Sequence, residues 1–494
     1  MTQPFPSSSR RRLVAALAAI AGAVGLALAG PASALQTGLV APDVPGPNTG
    51  RVIGELADTH AGWLRLFASW PALEPYPGVY NLGQYDATIQ AAHATGVKVL
   101  LDVTSSPSWE TGSSNPATPP RNPADYAAFL SVLAAHYRAL GAQAGYGSSV
   151  EAYEIWNEED GGVFWAGGPD PAAYTRLLRG AYGAVKRADP NATVVMGGTA
   201  GNDFDFVNRV YHDGAKGSFD AIGVHTDTAC NLLSPRQGYR DLQGHIGFTT
   251  FTGYREVRRV ELANGDTVPI WMTEMGWSTD PGTCGSGSGA GRKAGGVSEA
   301  TQAQYLSEGY HCLTLDLDRY VTVGLWFAAD DSGAGGSASL FGLERAGGSR
   351  KPAYAAFRAF NTSGDALSGA CYQQLDTGAP IVRVVSPRPD AAYVKDLKVS
   401  VTAVDPGGVG ITRTIVFVDG HRVHTHQGPA QTFNFVGARY LPLGQHVIVI
   451  RAENPAKRAG TARIVVRHVR RVYCLHGKHT RGGRCPAGFT GRAF

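Results

Sequence analysis

Between about residue 38 and residue 362 the chain alternates two kinds of stretch. One kind is short and almost continuously apolar, as in "WLRLFASW", "VKVLLDVTSS", "VEAYEIWNE", "TVVMGGTAG", "FDAIGVHTD", "PIWMTEMGWS" and "YVTVGLWFAADD". The other is longer, with apolar residues recurring every three or four positions, as in "LGQYDATIQAAHATG", "NPADYAAFLSVLAAHYRALG" and "DPAAYTRLLRGAYGAVKRADP". The first pattern predicts strands and the second amphipathic helices. Asn122 before Pro123 marks a helix start, a capping amide ahead of a first position that needs no N–H. With "TGLVAP" as a first strand, the series predicts eight strands each followed by a helix. That is the count and length of an α/β (β/α)8 TIM barrel. The strands are continuous runs rather than alternating ones, which suits parallel strands buried on both faces. An open doubly wound sheet would alternate the same way, but no strand here leads into a G-x-G-x-x-G turn opening a helix. The string "GSGSGA" at 285–290 sits in a Gly/Ser-rich loop.

After about residue 376 the period changes to two. "PIVRVVSP", "LKVSVTAVD", "RTIVFVDGHRV", "TFNFV", "HVIVIRAEN" and "ARIVVRHV" are short alternating runs separated by Pro, Gly and Asp. They predict a small all-β, immunoglobulin-like sandwich, without the Cys…Trp…Cys spacing of true immunoglobulin domains. The expected organisation is a signal peptide over 1–34, the barrel over 35–364, a linker over 365–379, the sandwich over 380–469 and a basic, Cys-containing tail over 470–494.

The N-terminus does not belong to either core. Arg10, Arg11 and Arg12 precede "LVAALAAIAGAVGLALA" and then "ASA", the three parts of a secretory signal peptide. An uncleaved anchor and a twin-arginine signal are the other readings of this stretch. No later stretch is long and apolar enough to cross a bilayer. The protein is therefore expected to be secreted, extracellular or associated with the cell wall.

Charge separates the tail from the body. The formal charge of +4 falls to +1 without the three signal arginines. Six basic residues and no acids in 470–494 leave −5 over residues 35–469. A mildly acidic body has no basic stripe for nucleic acid, while the basic tail suggests contact with an anionic cell envelope. A monomer is expected. The six cysteines of an exported chain are expected to pair, and six allow fifteen connectivities. Loop positions favour Cys474–Cys485, Cys230–Cys284 and Cys312–Cys371. No cysteine or histidine spacing suggests a metal, and no cofactor is expected.

The chemistry lies where strands end, at the C-terminal mouth of a barrel. "EIWNEED" places Glu158 at the end of the fourth strand, and "PIWMTEMGWS" places Glu274 at the end of the seventh. Strands four and seven lie on opposite sides of the mouth, so the two carboxyls can face each other. Such a pair is the machinery of glycoside hydrolysis, one group protonated to donate to the leaving oxygen and one ionised to attack the anomeric carbon. The Asn157 amide can donate to a sugar 2-hydroxyl. Trp70, Trp109, Trp156, Phe164, Trp165, Trp277 and Trp326 all fall at or just past strand ends, where flat rings stack on pyranose faces. Trp156, inside its strand, reads as core. Asp330 and Asp331, after the eighth strand, read as solvated loop acids or as partners for sugar hydroxyls.

"WNE" and "TEMGW" resemble the retaining glycoside hydrolases of clan A. "WNEEDGGVFW" and "WFAADD…GL…RKPAYAAF" are most similar to family 39, with family 5 as the other placement. The resemblance covers about residues 38–362 and implies Glu158 as acid/base and Glu274 as nucleophile. It further implies Asn157 as the 2-hydroxyl partner, Arg65 beneath the nucleophile, His225 as the nucleophile's imidazole partner and Trp326 as the strand-eight platform. Trp109, Trp165 and Trp277 complete the expected substrate-binding set. The proline that usually follows Asn-Glu is Glu159 here, which puts the family and the local loop shape in question. The expected function is a secreted retaining glycosidase acting on an oligosaccharide or polysaccharide. The rival is a non-catalytic carbohydrate-binding or surface-adhesion protein on a barrel scaffold, which the presence of both glutamates argues against.

Overall fold

The computed structural model describes residues 1, 35–226, 233–280, 296–315, 320–331, 340–375, 377–406, 409–428, 432–470, 472–474 and 491–493. Eight parallel strands close into a barrel: β1 (Gln36–Val40), β2 (Trp63–Ser69), β3 (Lys98–Thr104), β4 (Ala152–Ile155), β5 (Thr193–Thr199), β6 (Ala221–His225), β7 (Ile270–Met275) and β8 (Val321–Phe327). Closure is direct, since β1 pairs with β2 on one side and with β8 on the other. A helix follows each strand: α1 (Thr49–Thr59), α2 (Gly83–Ala94), α3 (Pro123–Ala144), α4 (Pro171–Ala188), α5 (Phe204–His212), α6 (Tyr254–Ala263), α7 (Glu299–Leu315) and α8 (Pro352–Ser363). Three of these start as their sequence dictates. Asn122, Asp170 and Asp203 each accept a hydrogen bond from a first-turn amide, and Pro123 and Pro171 follow the first two caps.

Both faces of each strand are covered. Outward residues such as Leu64, Leu66, Leu101, Tyr153, Ile155, Met196 and Trp326 join the large core shared with the helices. Inward residues Val40, Trp63, Leu100, Ala152, Val195, Ala221, Trp271, Val323 and Leu325 fill the barrel interior, topped by the half-buried Phe67 and Phe327. The interior layer just above this plug is polar, because Arg65, Asp102 and Glu154 also point inward and are completely buried.

The C-terminal all-β unit has eight strands: β9 (Ile381–Ser386), β10 (Ala391–Tyr393), β11 (Leu397–Val404), β12 (Arg413–Val418), β13 (His421–Gln427), β14 (Thr432–Phe435), β15 (Gly444–Glu453) and β16 (Ala459–His468). They form a three-stranded sheet ordered β9-β11-β14 and a five-stranded sheet ordered β10-β16-β15-β12-β13. Val399 and Val401 from the first sheet pack with Val416, Ile448, Ile450 and Val466 from the second. The run read as one strand, "RTIVFVDGHRV", is a hairpin. Asp419 (φ 51°) and Gly420 (φ 83°) both adopt the left-handed conformation that a two-residue turn requires.

The stretch expected as a linker is bolted to the barrel instead. Cys371 forms the expected disulfide with Cys312 of α7. Asp365 accepts from His311 Nδ1 at 2.6 Å, Arg236 donates to the Ser368 carbonyl, and Gln373–Gln374 pairs in parallel with Gln237–Gly238. Its polar groups find barrel partners. Leu233 and Tyr239 of the barrel then pack with Leu375 and with Val409 and Ala456 of the β unit. The expected Cys230–Cys284 and Cys474–Cys485 pairs involve positions outside the described residues, as does the signal segment. In the tail, Val472–Cys474 pairs antiparallel with Gly491–Ala493. Among the described residues no helix is long and apolar enough to cross a membrane.

Candidate active site

The fourth strand ends by an abrupt change of backbone. Trp156 has φ 71° and Glu158 φ 45°, both in the left-handed region that bulky residues avoid. Because of the first of these, Trp156 turns outward like Ile155 before it, and its indole packs against Tyr126 and Trp165 in the helix-facing core. Asn157 then faces inward and Glu158 reaches the mouth. Strained residues of this kind cluster at functional sites, where surrounding contacts hold them. Here the Glu158 amide donates to the Gly198 carbonyl at 3.0 Å, and the Trp156 amide to Val103. The two glycines of "MGGT" make the room. A Cβ at Gly197 would fall 2.5 Å from Glu159 Oε2, and one at Gly198 would fall 2.3 Å from the His225 ring.

Across the mouth, Glu274 ends β7. One oxygen of Glu158, one of Glu274 and a ring nitrogen of His225 all lie within 4.8 Å of one another. Both carboxyl side chains keep a small opening to solvent, 19% for Glu158 and 17% for Glu274. His225 is buried, its Nδ1 3.1 Å from Glu158 Oε1 and 3.8 Å from Glu274 Oε2. The imidazole expected beside the nucleophile is thus hydrogen-bonded to the other glutamate. The register of β6 against β7 shifts between Val224 and His225.

Arg65 lies beneath. Its guanidinium donates to Glu274 at 2.7 Å, to Glu154 at 2.6 Å, to Asp102 at 3.1 Å and to the Asn157 side-chain oxygen at 3.0 Å. It also sits 4.6 Å from the centre of the Phe67 ring. Since arginine only donates, the Asn157 oxygen must face it, which leaves the amide NH2 to donate elsewhere.

The electrostatics separate the two glutamates. Burial pushes Glu158 up to about 7, and Arg65 offsets this only in part. Burial raises Glu274 as well, but His225 and Arg65 both pull it back. One group therefore keeps its proton to near neutrality, while the other is held toward ionisation by direct contact with a cation. Arg65 engages one oxygen of Glu274, and the set as a whole has the chemistry of an acid–base pair.

The aromatic expectations divide. Trp109 is half-buried, its ring edge-on to Trp70 and its Nε1 bonded to the Glu74 carbonyl. Trp165, Trp277 and Trp326 are 3%, 1% and 0% exposed. Trp277 and Trp326 pack on each other behind the strands, and their indole N–H groups bond to the Leu233 and Phe341 carbonyls. Covered on both faces, these three cannot stack on a sugar. The β8 ring at the mouth is Phe327, because Val323, Leu325 and Phe327 share the inward side. Trp70 is likewise buried, as is Trp156. Asp330 and Asp331 are not solvated: Asp330 pairs with Arg51 and Asp331 with Lys351 at 2.7 Å.

Asp102, Glu154, Glu159, Phe67, Phe327 and the glycine pair were missed. The signal for two of them was available, since "LLDVT" and "AYEIW" each place one acid inside an otherwise apolar buried strand. Glu159 is completely buried, and the Tyr174 hydroxyl and its own backbone amide are the polar groups beside its carboxyl. Tyr174 lies beside it, its hydroxyl bonded to the Ile155 carbonyl and the Gly197 amide. Glu159 thus fills a core position.

No family model matches this chain, and no curated protein is similar to it in sequence. Among solved structures it is similar to a family 39 glycoside hydrolase from the gut symbiont Bacteroides cellulosilyticus WH2, with TM-score 0.53 and 18% identity over 82% of this chain and 79% of that one. It is also similar to a monomeric β-xylosidase from Caulobacter crescentus CB15, with TM-score 0.50 and 17% identity over 88% and 94%. At these identities the likeness is one of fold.

Proposed function

We propose that the chain is an exported glycoside hydrolase that cleaves O-glycosidic bonds of an oligosaccharide or polysaccharide with retention of anomeric configuration. The observation that carries this is the closeness of the two carboxyls. Retaining enzymes set them about 5–5.5 Å apart, whereas inverting enzymes leave about 6.5–9.5 Å for a water. The facing oxygens of Glu158 and Glu274 lie within 4.8 Å of each other, which supports the closer arrangement. The electrostatics support the same reading, since burial raises both carboxyls, Glu158 to about 7, while His225 and Arg65 pull Glu274 back toward its anionic form.

In the first step Glu158 donates its proton to the leaving glycosidic oxygen. Glu274 attacks the anomeric carbon from the opposite face, giving a glycosyl ester and a free alcohol. Glu158, now ionised, removes a proton from water, which displaces Glu274 and restores both carboxyls. The Asn157 amide is turned to donate to the sugar 2-hydroxyl, a bond that strengthens as oxocarbenium character grows. Phe67, Phe327 and Trp109 are the rings available to the sugar.

A screen against aryl glycosides and polysaccharides, followed by NMR of the first-formed anomer, tests the proposal. A retained product supports it. An inverted product removes Glu274 as nucleophile, and no turnover on any glycan favours a non-catalytic carbohydrate-binding protein.

A further inference from the structure

One buried guanidinium serves three carboxyls, and it cannot compensate all of them as anions at once. The three are satisfied differently. Glu154 has both oxygens bonded, Oε2 to Arg65 Nε at 2.6 Å and Oε1 to the Gly198 amide at 3.0 Å. Glu274 lies 2.7 Å from Arg65 and alone of the three opens to the mouth. Asp102 is farthest from the guanidinium at 3.1 Å, and its Oδ1 is completely buried with no donor reaching it among the described residues. A carboxylate oxygen left bare in the interior is the costliest of these arrangements, and a proton discharges it.

We infer that Glu154 is the ionised partner that shares the Arg65 charge with Glu274 and so sets the acidity of the nucleophile, while Asp102 is a neutral acid that offers Arg65 its carbonyl oxygen. This deepens the proposed function and rests on it for the role of Glu274. Glu154 is a positioning residue, acting through Arg65 and touching no substrate. The groups facing Glu274 are His225, Arg65, Glu158 and Glu154, and the two glutamates push its acidity down. Those facing Asp102 are Arg65, Glu154, Glu274 and Glu158 on the ionic side, with Tyr85 and Tyr126 beside it. Burial outweighs Arg65 there and holds the Asp102 carboxyl well above the usual carboxylate range.

Two nearly isosteric variants separate the partners. Glu154→Gln should move the ascending limb of the kcat/KM–pH profile downward by about one unit, the size expected for removing a nearby like charge. Asp102→Asn should leave that limb in place, because an amide resembles a neutral acid. Two merely structural partners of Arg65 would not differ in this way. Infrared difference spectra at pH 8 give a second readout that needs no turnover. Measured against the unmutated protein, one protonated-acid carbonyl stretch should be lost in Asp102→Asn and none in Glu154→Gln, the Glu159 acid being common to all three proteins. A limb shifted by Asp102→Asn as far as by Glu154→Gln overturns the inference, and so does an acid band lost in Glu154→Gln instead. If the unmutated protein hydrolyses no glycoside, the proposed function falls, and the infrared comparison by itself supports or overturns the charge assignment.

Discussion

The amide of Glu158 is bonded to the carbonyl of Gly198 at 3.0 Å. With the Gly198 and Ala200 amides, which donate to Glu154 and Asp160, this link holds the left-handed end of β4 against β5. Gly198 also gives the His225 ring its space, with Thr273 Oγ1 2.7 Å from where a Cβ would stand. Gly198→Ala must therefore push the ring and the Glu158 turn apart. A displacement on the order of 1 Å at a reacting group costs about 100-fold in rate, so kcat/KM should fall by at least about that factor. Steady-state kinetics with an aryl glycoside, alongside a melting curve, measure it, and an unaffected rate would contradict the packing described here.

The two glutamates should fail in different ways. Glu274→Gly removes the nucleophile, so turnover should stop, and azide entering the vacated space should give the inverted glycosyl azide. Glu158→Ala should spare substrates whose leaving group needs no proton and should give the retained azide. Product stereochemistry by NMR distinguishes them: the same azide anomer from both variants would contradict the division of roles, and exchanged anomers would reverse it.

Under the proposed mechanism the descending limb of activity should belong to Glu158. The acid must be protonated to work, so kcat/KM should fall as pH rises through about 7. The Glu158→Ala variant, assayed on an activated aryl glycoside, should lose that limb. A limb that survives the substitution would place the titration on another group.

Glu159 should make stability depend on pH. Burial, with Asp160 adding to it, holds its carboxyl well above the ordinary value. The folded state therefore binds this proton more tightly than the unfolded chain. Its contribution is intact below the unfolded value of about 4.5 and is lost as pH rises toward the folded one. Glu159→Gln cannot ionise, so its stability relative to the unmutated protein should improve between pH 5 and pH 8 by at least about 1.4 kcal/mol, the equivalent of one pKa unit. Urea unfolding at the two pH values gives the comparison, and an equal difference at both would mean that Glu159 is not titrating.

Truncation after Thr377 should leave the site working. Cys371, Asp365 and Gln373–Gln374 stay with the barrel, so the strap remains fastened. Leu233 and Tyr239 lose Val409 and Ala456, which cover them. Hydrolysis of a small soluble glycoside should stay near the full rate, with the melting temperature lowered by several degrees. A large loss of activity would mean that the β unit supports the mouth directly.

What the chain determined by itself is the barrel and the place of its two glutamates. Both follow from local rules. Near-continuous apolar runs between helical ones describe parallel strands, and a carboxyl at a strand's C-terminal end falls at the mouth whatever the rest of the molecule does. The Cys312–Cys371 disulfide was also within reach. The tertiary structure alone decided which way each aromatic faces. In β8, Trp326 and Phe327 are neighbours on opposite sides, and only barrel closure selects the inward one. The left-handed Trp156 resets the alternation of β4, and His225 stands beside a register shift with its ring against Glu158. The buried partners of Arg65 come from three different strands, so their charge balance exists only once the barrel has closed. Local sequence specifies period and strand ends, whereas side, register and shared charge are properties of contacts between residues far apart in the chain.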